Sequence, residues 1–172
     1  MLNHPIFQPR NVYLISLLVS IGALGAALVA QFAFDLKPCI LCLYARIPYV
    51  ILIAVCVVAL LRNSKANETE RLIFMVLVWL GFVASFAIAF FHVGVEQHWW
   101  QLTGGCPVEK LAAKTPDAML AELLATPLAP CDKVAWKLFG LSIVIWNALL
   151  ALVMNDYVLL ALVAMKKRKQ TP

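Results

Sequence analysis

Four apolar stretches, at about 12–34, 40–61, 72–91 and 139–158, each approach or exceed the length that crosses a bilayer. A hydrocarbon core about 30 Å thick takes roughly 20 helical residues. Lipid satisfies no backbone N–H or C=O group, so stretches of this length are expected as helices. Short, strongly alternating strand patterns are absent from the sequence. The fourth stretch runs on past Asp156 towards Met165, which leaves its inner boundary loosely fixed. The first is too long for the apolar core of a signal peptide and shows no clear cleavage site, so no cleaved leader is expected. Composition agrees: 63% of residues are hydrophobic and 13% charged, against about half and a quarter in soluble domains. The fold class expected is an all-α membrane protein. It would be a four-transmembrane-helix bundle that forms a single domain over residues 1–172.

Lys and Arg in the connections set the orientation. One side carries Arg10, Arg62, Lys65, Arg71 and the terminal run Lys166, Lys167, Arg168 and Lys169, eight in all. The other carries six, namely Lys37, Arg46, Lys110, Lys114, Lys133 and Lys137, together with Asp35, Glu96, Glu109, Asp117, Glu122 and Asp132. The dense "KKRK" after the fourth stretch favours both termini in the cytoplasm. Topology and anionic lipid then account for the net charge of +5, and no nucleic acid partner is implied.

Two loops face outward on this topology. The first is only "DLKP"; the second spans about 92–137 and contains "GGCP" and "APC". Within it, "TPDAMLAELLA" carries a helix start. Thr115 can cap, Pro116 suits the first helical position and Asp117 complements the dipole. Met119, Leu120, Leu123 and Leu124 share one side, so a short interfacial helix is expected there. Trp99 and Trp100 suit the headgroup region. The inner "RNSKANETER" reads as a solvated connector.

Of five cysteines, Cys39, Cys42, Cys106 and Cys131 lie on or near the outward face, while Cys56 sits deep in the second stretch as a small hydrophobe. Four thiols facing an oxidising compartment suggest two disulfides. Joining Cys106 to Cys131 would close 26 residues, worth ~3–4 kcal/mol in the chain-entropy model. That return alone would justify a structural bridge. A Cys-x-x-Cys bridge closes too few residues for such a return, and its spacing recurs at redox sites. Pro38 marks the helix start and places Cys39 in the first turn, where the dipole favours a thiolate. Arg46 follows Cys42 by four residues on the same helical face, about 6 Å along the axis. A charge at mid-bilayer costs ~2.5–3.5 kcal/mol on an insertion scale. Snorkelling to the outer headgroups is the bland account of Arg46. Beside Cys42 a functional account is favoured, because guanidinium stabilises a thiolate and donates to oxygen acceptors. Structural zinc sites usually pair two Cys-x-x-Cys units, and only one is present, so no metal is expected.

With four spans, "PCILCLYAR" opening the second, "HVGVEQHWW" after the third, Cys106 and Cys131 in the outer loop, and "CDKVAWKLFGLSIVIWN" leading into the fourth, nearly the whole chain resembles the DsbB family. These are bacterial inner-membrane thiol oxidases that pass electrons to quinone. The resemblance implies a relay in which a reduced periplasmic DsbA-like partner attacks the loop disulfide, with Cys106 taking the mixed disulfide. Cys131 would then exchange with Cys39, and electrons would leave through Cys42 to ubiquinone or menaquinone. Arg46 would help bind quinone and stabilise the Cys42 thiolate. Some members carry Glu where this chain has Ala45, a change given no mechanistic weight. His92 and Glu96 could share a helical face. Interface solvation with a capping hydrogen bond is favoured for them, and His92 stands beside it as a candidate quinone contact.

Two rival functions stay open. One is a thiol-reductant conduit, which would need a reducing cytoplasmic donor; the lack of a second cysteine pair on the inner face counts against it. The other is a membrane scaffold with merely structural disulfides, whose cysteines would resist exchange.

Overall fold

The computed structural model describes residues 5–100, 130–134 and 136–170, the last three of these as backbone alone. Cys106 and the expected interfacial helix at 115–125 lie outside the described residues. After a 3-10 turn at Pro5–Phe7 come α1 (Pro9–Ala33), α2 (Ile40–Tyr44), α3 (Arg46–Arg62) and α4 (Glu68–Glu96). A two-strand ladder, β1 (Lys137–Leu138) and β2 (Leu141–Ser142), leads into α5 (Ile143–Gln170). Among the described residues, four segments are long and apolar enough to span a membrane: Pro9–Ala33, Ile40–Arg62, Glu68–Glu96 and Ile143–Lys167. This is the four-helix membrane bundle expected from the apolar stretches.

Local chemistry sets the helix limits. Pro9 occupies the first helical position of α1, where its missing N–H costs nothing. Asn67 caps α4 by accepting the Glu70 N–H at 2.9 Å, and Glu68 and Glu70 lie in the first turn, which the dipole favours. Ala45 joins α2 to α3. Pro48 has no N–H to return to the Tyr44 carbonyl, and its ring crowds that carbonyl, which accounts for the break. At the end of α4, His98 takes a left-handed φ of 59°. The Trp99 N–H then reaches the Gly94 carbonyl at 2.8 Å and the His98 N–H the Val95 carbonyl at 3.1 Å, the paired bonds of a Schellman termination.

Two boundaries differ from expectation. The third helix continues to Glu96, so residues assigned to the outer loop are helical. The fourth begins at Ile143, because Phe139 and Gly140 (φ 51° and 83°) form a two-residue hairpin turn before it. Positive φ at both turn positions is what this hairpin geometry requires.

The core repeats every three and four residues. Tyr49, Leu52, Cys56 and Ala59 face inward from α3, Met75, Val78, Phe82, Ser85, Ala89 and His92 from α4, and Ala151, Met154, Val158 and Ala161 from α5. Such spacing keeps one stripe of each helix on its neighbours. Small residues let the backbones close: a Cβ on Gly81 would stand 2.6 Å from Leu52 Cδ2. Large residues such as Leu18, Phe32, Leu61 and Val153 point outward, which suits lipid. Helix α1 packs on α3, α3 on α4 and α4 on α5, while α1 and α5 touch more sparingly. That last seam is where the bundle opens.

Candidate functional site

The site lies at the end of the bundle where α1 finishes and α2 begins. Asp35 turns left-handed after α1 (φ 51°), and Leu36 N–H reaches back to the Ala30 carbonyl at 3.2 Å. The chain is thereby returned to Pro38, whose fixed φ delivers Cys39 as the N-cap of α2. Cys39 thus caps the helix rather than standing in its first turn. Its Sγ accepts the Cys42 N–H at 3.2 Å and its thiol donates to Cys42 Sγ at 2.9 Å. That hydrogen bond and then burial push the Cys39 thiol up from its ordinary pKa.

Two further elements close over the pair. His92, from α4, places Nε2 3.4 Å from Cys39 Sγ. Cys131 shares a buried cluster with Cys39, Leu41 and Val95, with Trp100 packed against it. Trp100 folds back across Gly94, where any Cβ would strike its ring, and donates Nε1–H to the Phe91 carbonyl at 3.0 Å. His92 (5% exposed) and Glu96 (6%) are both buried, which corrects the expectation that they are solvated at the interface. They point inward because the helix continues through them. Glu96 accepts from Ser142 Oγ at 2.6 Å.

On the membrane side of the pair, a cavity of about 280 Å³ opens between α1 and α5. Cys42, Arg46 and His92 lie on its wall. Ala23, Ala26, Ala27 and Ala30 supply short side chains along α1, which leaves the space unfilled. Arg46 Nη1 donates to Gln31 Oε1 at 2.7 Å, and Tyr49 OH donates to Asn147 Oδ1 at 2.7 Å. Trp136, also on the wall, stacks on Phe34 with ring centroids 6.3 Å apart. The arrangement sets a dithiol, a cation and amide and phenol groups around a mostly apolar cavity.

The structure therefore brings Cys39, Cys42, Cys131, Arg46 and His92 to one end of the bundle, while Cys106 falls outside the described residues. Sequence reasoning missed Gln31, Tyr49, Asn147 and Ser142. Gln31 and Asn147 were visible as amides inside apolar runs, a signal for an inward-facing polar role. Cys56 is fully buried in the helix core, as expected.

Residues 9–164 match the family described as disulfide bond formation protein DsbB. Among curated proteins, an uncharacterized protein of Rickettsia prowazekii is 28% identical over 149 residues, covering 84% of this chain and 81% of its own. Disulfide bond formation protein B of Hahella chejuensis is 28% identical over 145 residues, covering 80% and 84%. Disulfide bond formation protein B 1 of Pseudomonas aeruginosa is 29% identical over 155 residues, covering 84% and 89%. With the match running through all four spans and the cysteine-bearing end, the chain belongs to the DsbB family and is a multi-pass membrane oxidoreductase of disulfide bond formation.

Proposed function

We propose that this protein is a quinone-dependent thiol oxidase of the bacterial inner membrane that reoxidises a periplasmic DsbA-like dithiol protein. The observation that carries the reading is the position of the Cys39–Cys42 pair. It stands between a buried Cys131 on one side and an apolar, Arg46-bearing cavity on the other. Both termini then face the cytoplasm, as the basic terminal run favours.

The cavity fits a quinone ring. Its roughly 280 Å³ lies just below the usual range of ligand pockets, about 300–1,000 Å³. Its walls are alanine, leucine and tryptophan, and its polar groups are hydrogen-bond donors and acceptors suited to ring oxygens. Ubiquinone or menaquinone, when bound, supplies a two-electron acceptor that takes up two protons.

The chain's own residues do the rest. A partner thiolate attacks Cys106 in a Cys106–Cys131 disulfide, forming a mixed disulfide and releasing Cys131 as thiolate. Resolution frees the oxidised partner and leaves both loop cysteines reduced. Cys131 attacks Cys39 of a Cys39–Cys42 disulfide, and Cys106 resolves that bridge, so the loop disulfide re-forms and the helical pair is reduced. Each step is thiolate displacement on sulfur. Return of the pair to its disulfide gives up two electrons and two protons. Arg46 favours the Cys42 thiolate and orients an oxygen acceptor. His92, against Cys39 and on the cavity wall, is placed to hold or pass a proton.

The experiment is turnover by purified protein in nanodiscs with ubiquinone and a reduced DsbA-like substrate, followed by quinone absorbance. Cys42→Ser and Cys106→Ser should each abolish it. Undiminished turnover in either variant defeats the relay. Cysteines that resist exchange with the partner in the unmutated chain would favour a scaffold instead.

A further inference from the structure

The geometry points to a second property of the same end of the bundle. In the reduced protein, Cys39, Cys42 and His92 form a binding site for a thiophilic divalent cation of the Zn²⁺ class, and the bound ion locks the pair in the dithiolate state.

The three donor atoms all lie within 4.8 Å of one another. Tetrahedral zinc, with bonds of about 2.3 Å to sulfur and about 2.0–2.1 Å to nitrogen, sets S···N near about 3.5 Å and S···S near about 3.8 Å. The Cys39 Sγ to His92 Nε2 separation of 3.4 Å already meets the first value. The sulfurs, at 2.9 Å, need to part by about 0.9 Å to meet the second. A rotation of the Cys42 side chain has to supply this on binding, and Cys42 lies on the wall of the cavity, which leaves room for a fourth ligand such as water. Three protein donors with one open position is a common zinc arrangement.

The surroundings suit a bound group that is neutral overall. The Cys42 N–H already donates to Cys39 Sγ at 3.2 Å, an outer-shell bond of the kind that steadies a metal-bound thiolate. Two thiolates cancel the charge of a divalent ion, so the nearby Arg46 faces a neutral group. Both Cys39 and His92 are about 95% buried, and the neutral ion–dithiolate group leaves no net charge in that buried place.

Binding exchanges two thiol protons for one cation, with no change of oxidation state. It is selective for the reduced chain, since a Cys39–Cys42 disulfide has no thiolate to offer. The ion holds the sulfurs far beyond the roughly 2.05 Å of a disulfide bond. Arrest of thiol oxidation by the bound ion rests on the function proposed above; the site itself does not.

The test uses full-length protein in quinone-free nanodiscs, reduced, in a Cys106→Ser/Cys131→Ser background, titrated with Co²⁺ as a spectroscopic substitute for Zn²⁺. One equivalent should give tetrahedral d–d bands with thiolate charge transfer, protect Cys39 and Cys42 from alkylation, and be displaced by Zn²⁺. The same chain with its pair oxidised should give none of this. His92→Gln should weaken binding at least about tenfold, the floor set by loss of a mere outer-shell partner. X-ray absorption of the Zn²⁺-loaded chain in the same double-serine background, with His92 kept, should show two sulfurs and imidazole scattering, which secures the result should His92→Gln misfold. A sulfur-only shell, equal affinity in a folded His92→Gln, or absence of cysteine protection each overturns the site. Because no partner or quinone is present, a chain that binds Zn²⁺ but oxidises no dithiol defeats the proposed function alone.

Discussion

Ser142 Oγ donates a 2.6 Å hydrogen bond to Glu96 Oε2, and the same oxygen accepts the Ile145 N–H at 3.3 Å. One hydroxyl thus ties the last turn of α4 to the first turn of α5. It also partners a buried carboxylate whose other oxygen, Oε1, has no hydrogen-bond partner in the described structure. The cysteine-bearing end is held by this link, because Glu96 lies one turn beyond His92 on the same helix.

Ser142→Ala should therefore cost more than an ordinary cap. Loss of a helix N-cap costs about 1 kcal/mol, and leaving a buried acceptor unsatisfied about 1–3 kcal/mol more. Thermal unfolding in detergent should show a clear fall in Tm. Ser142→Thr, which keeps the hydroxyl, should recover most of it. Equal Tm in Ser142→Ala and the unmutated protein would remove the link from the account.

Gly94 and Gly22 make a paired prediction. A methyl at Gly94 would strike the Trp100 ring, whereas nothing lies within 4 Å of a Cβ at Gly22. Gly94→Ala should displace Trp100, shift its fluorescence and destabilise by ~1–3 kcal/mol, the usual cost of overpacking. Gly22→Ala should be neutral or slightly stabilising through helix propensity. Similar melting curves for the two variants would contradict the packing of Trp100 over the helix.

The four spans could be read from apolar run lengths, and one charge set beside a thiol pair marked Cys39, Cys42 and Arg46 as candidates. The neighbours of that pair could not. His92 stands 53 residues from Cys39 in sequence, and only helix packing brings them together. The third span also stops later than its apolar run suggests. "HVGVE" mixes polar and apolar residues, so hydropathy falls although the helix continues and turns those polar groups inward. The "LFGL" hairpin was missed for a related reason: an apolar turn reads as the start of a span until positive φ at Phe139 and Gly140 is seen.

Gln31 predicts a graded effect at the cavity. Its Oε1 is the acceptor of the Arg46 guanidinium at 2.7 Å, so it fixes where that charge points. If the cavity takes quinone as proposed, Arg46→Ala should raise the quinone KM by roughly 10- to 100-fold, equivalent to about 1.4–2.8 kcal/mol of lost interaction. Gln31→Leu should raise it by less than about tenfold, since the charge is kept but no longer aimed. Gln31→Glu should restore the contact as an ion pair. Steady-state kinetics against quinone concentration separates these outcomes, and an unchanged KM in Arg46→Ala removes Arg46 from the cavity's chemistry.

The raised Cys39 pKa gives a pH prediction with a definite sign. An ordinary cysteine ionises near about 8.5. Cys39 in the folded, reduced protein stays a thiol above that value, held first by its hydrogen bond to Cys42 and then by burial. The folded state therefore binds one more proton than the unfolded state once pH passes the ordinary value. The stability this contributes is fully present below about pH 8.5 and is lost as pH rises towards the folded pKa. Alkylation of Cys39 near pH 8 should accordingly be slower than that of an unhindered cysteine, and should rise with pH only at more alkaline values. Cys42→Ala removes the leading cause and should move the alkylation profile of Cys39 to lower pH. Peptide-resolved mass spectrometry of the alkylated protein reads the rate at each cysteine, and a profile unmoved by Cys42→Ala would leave burial as the sole cause.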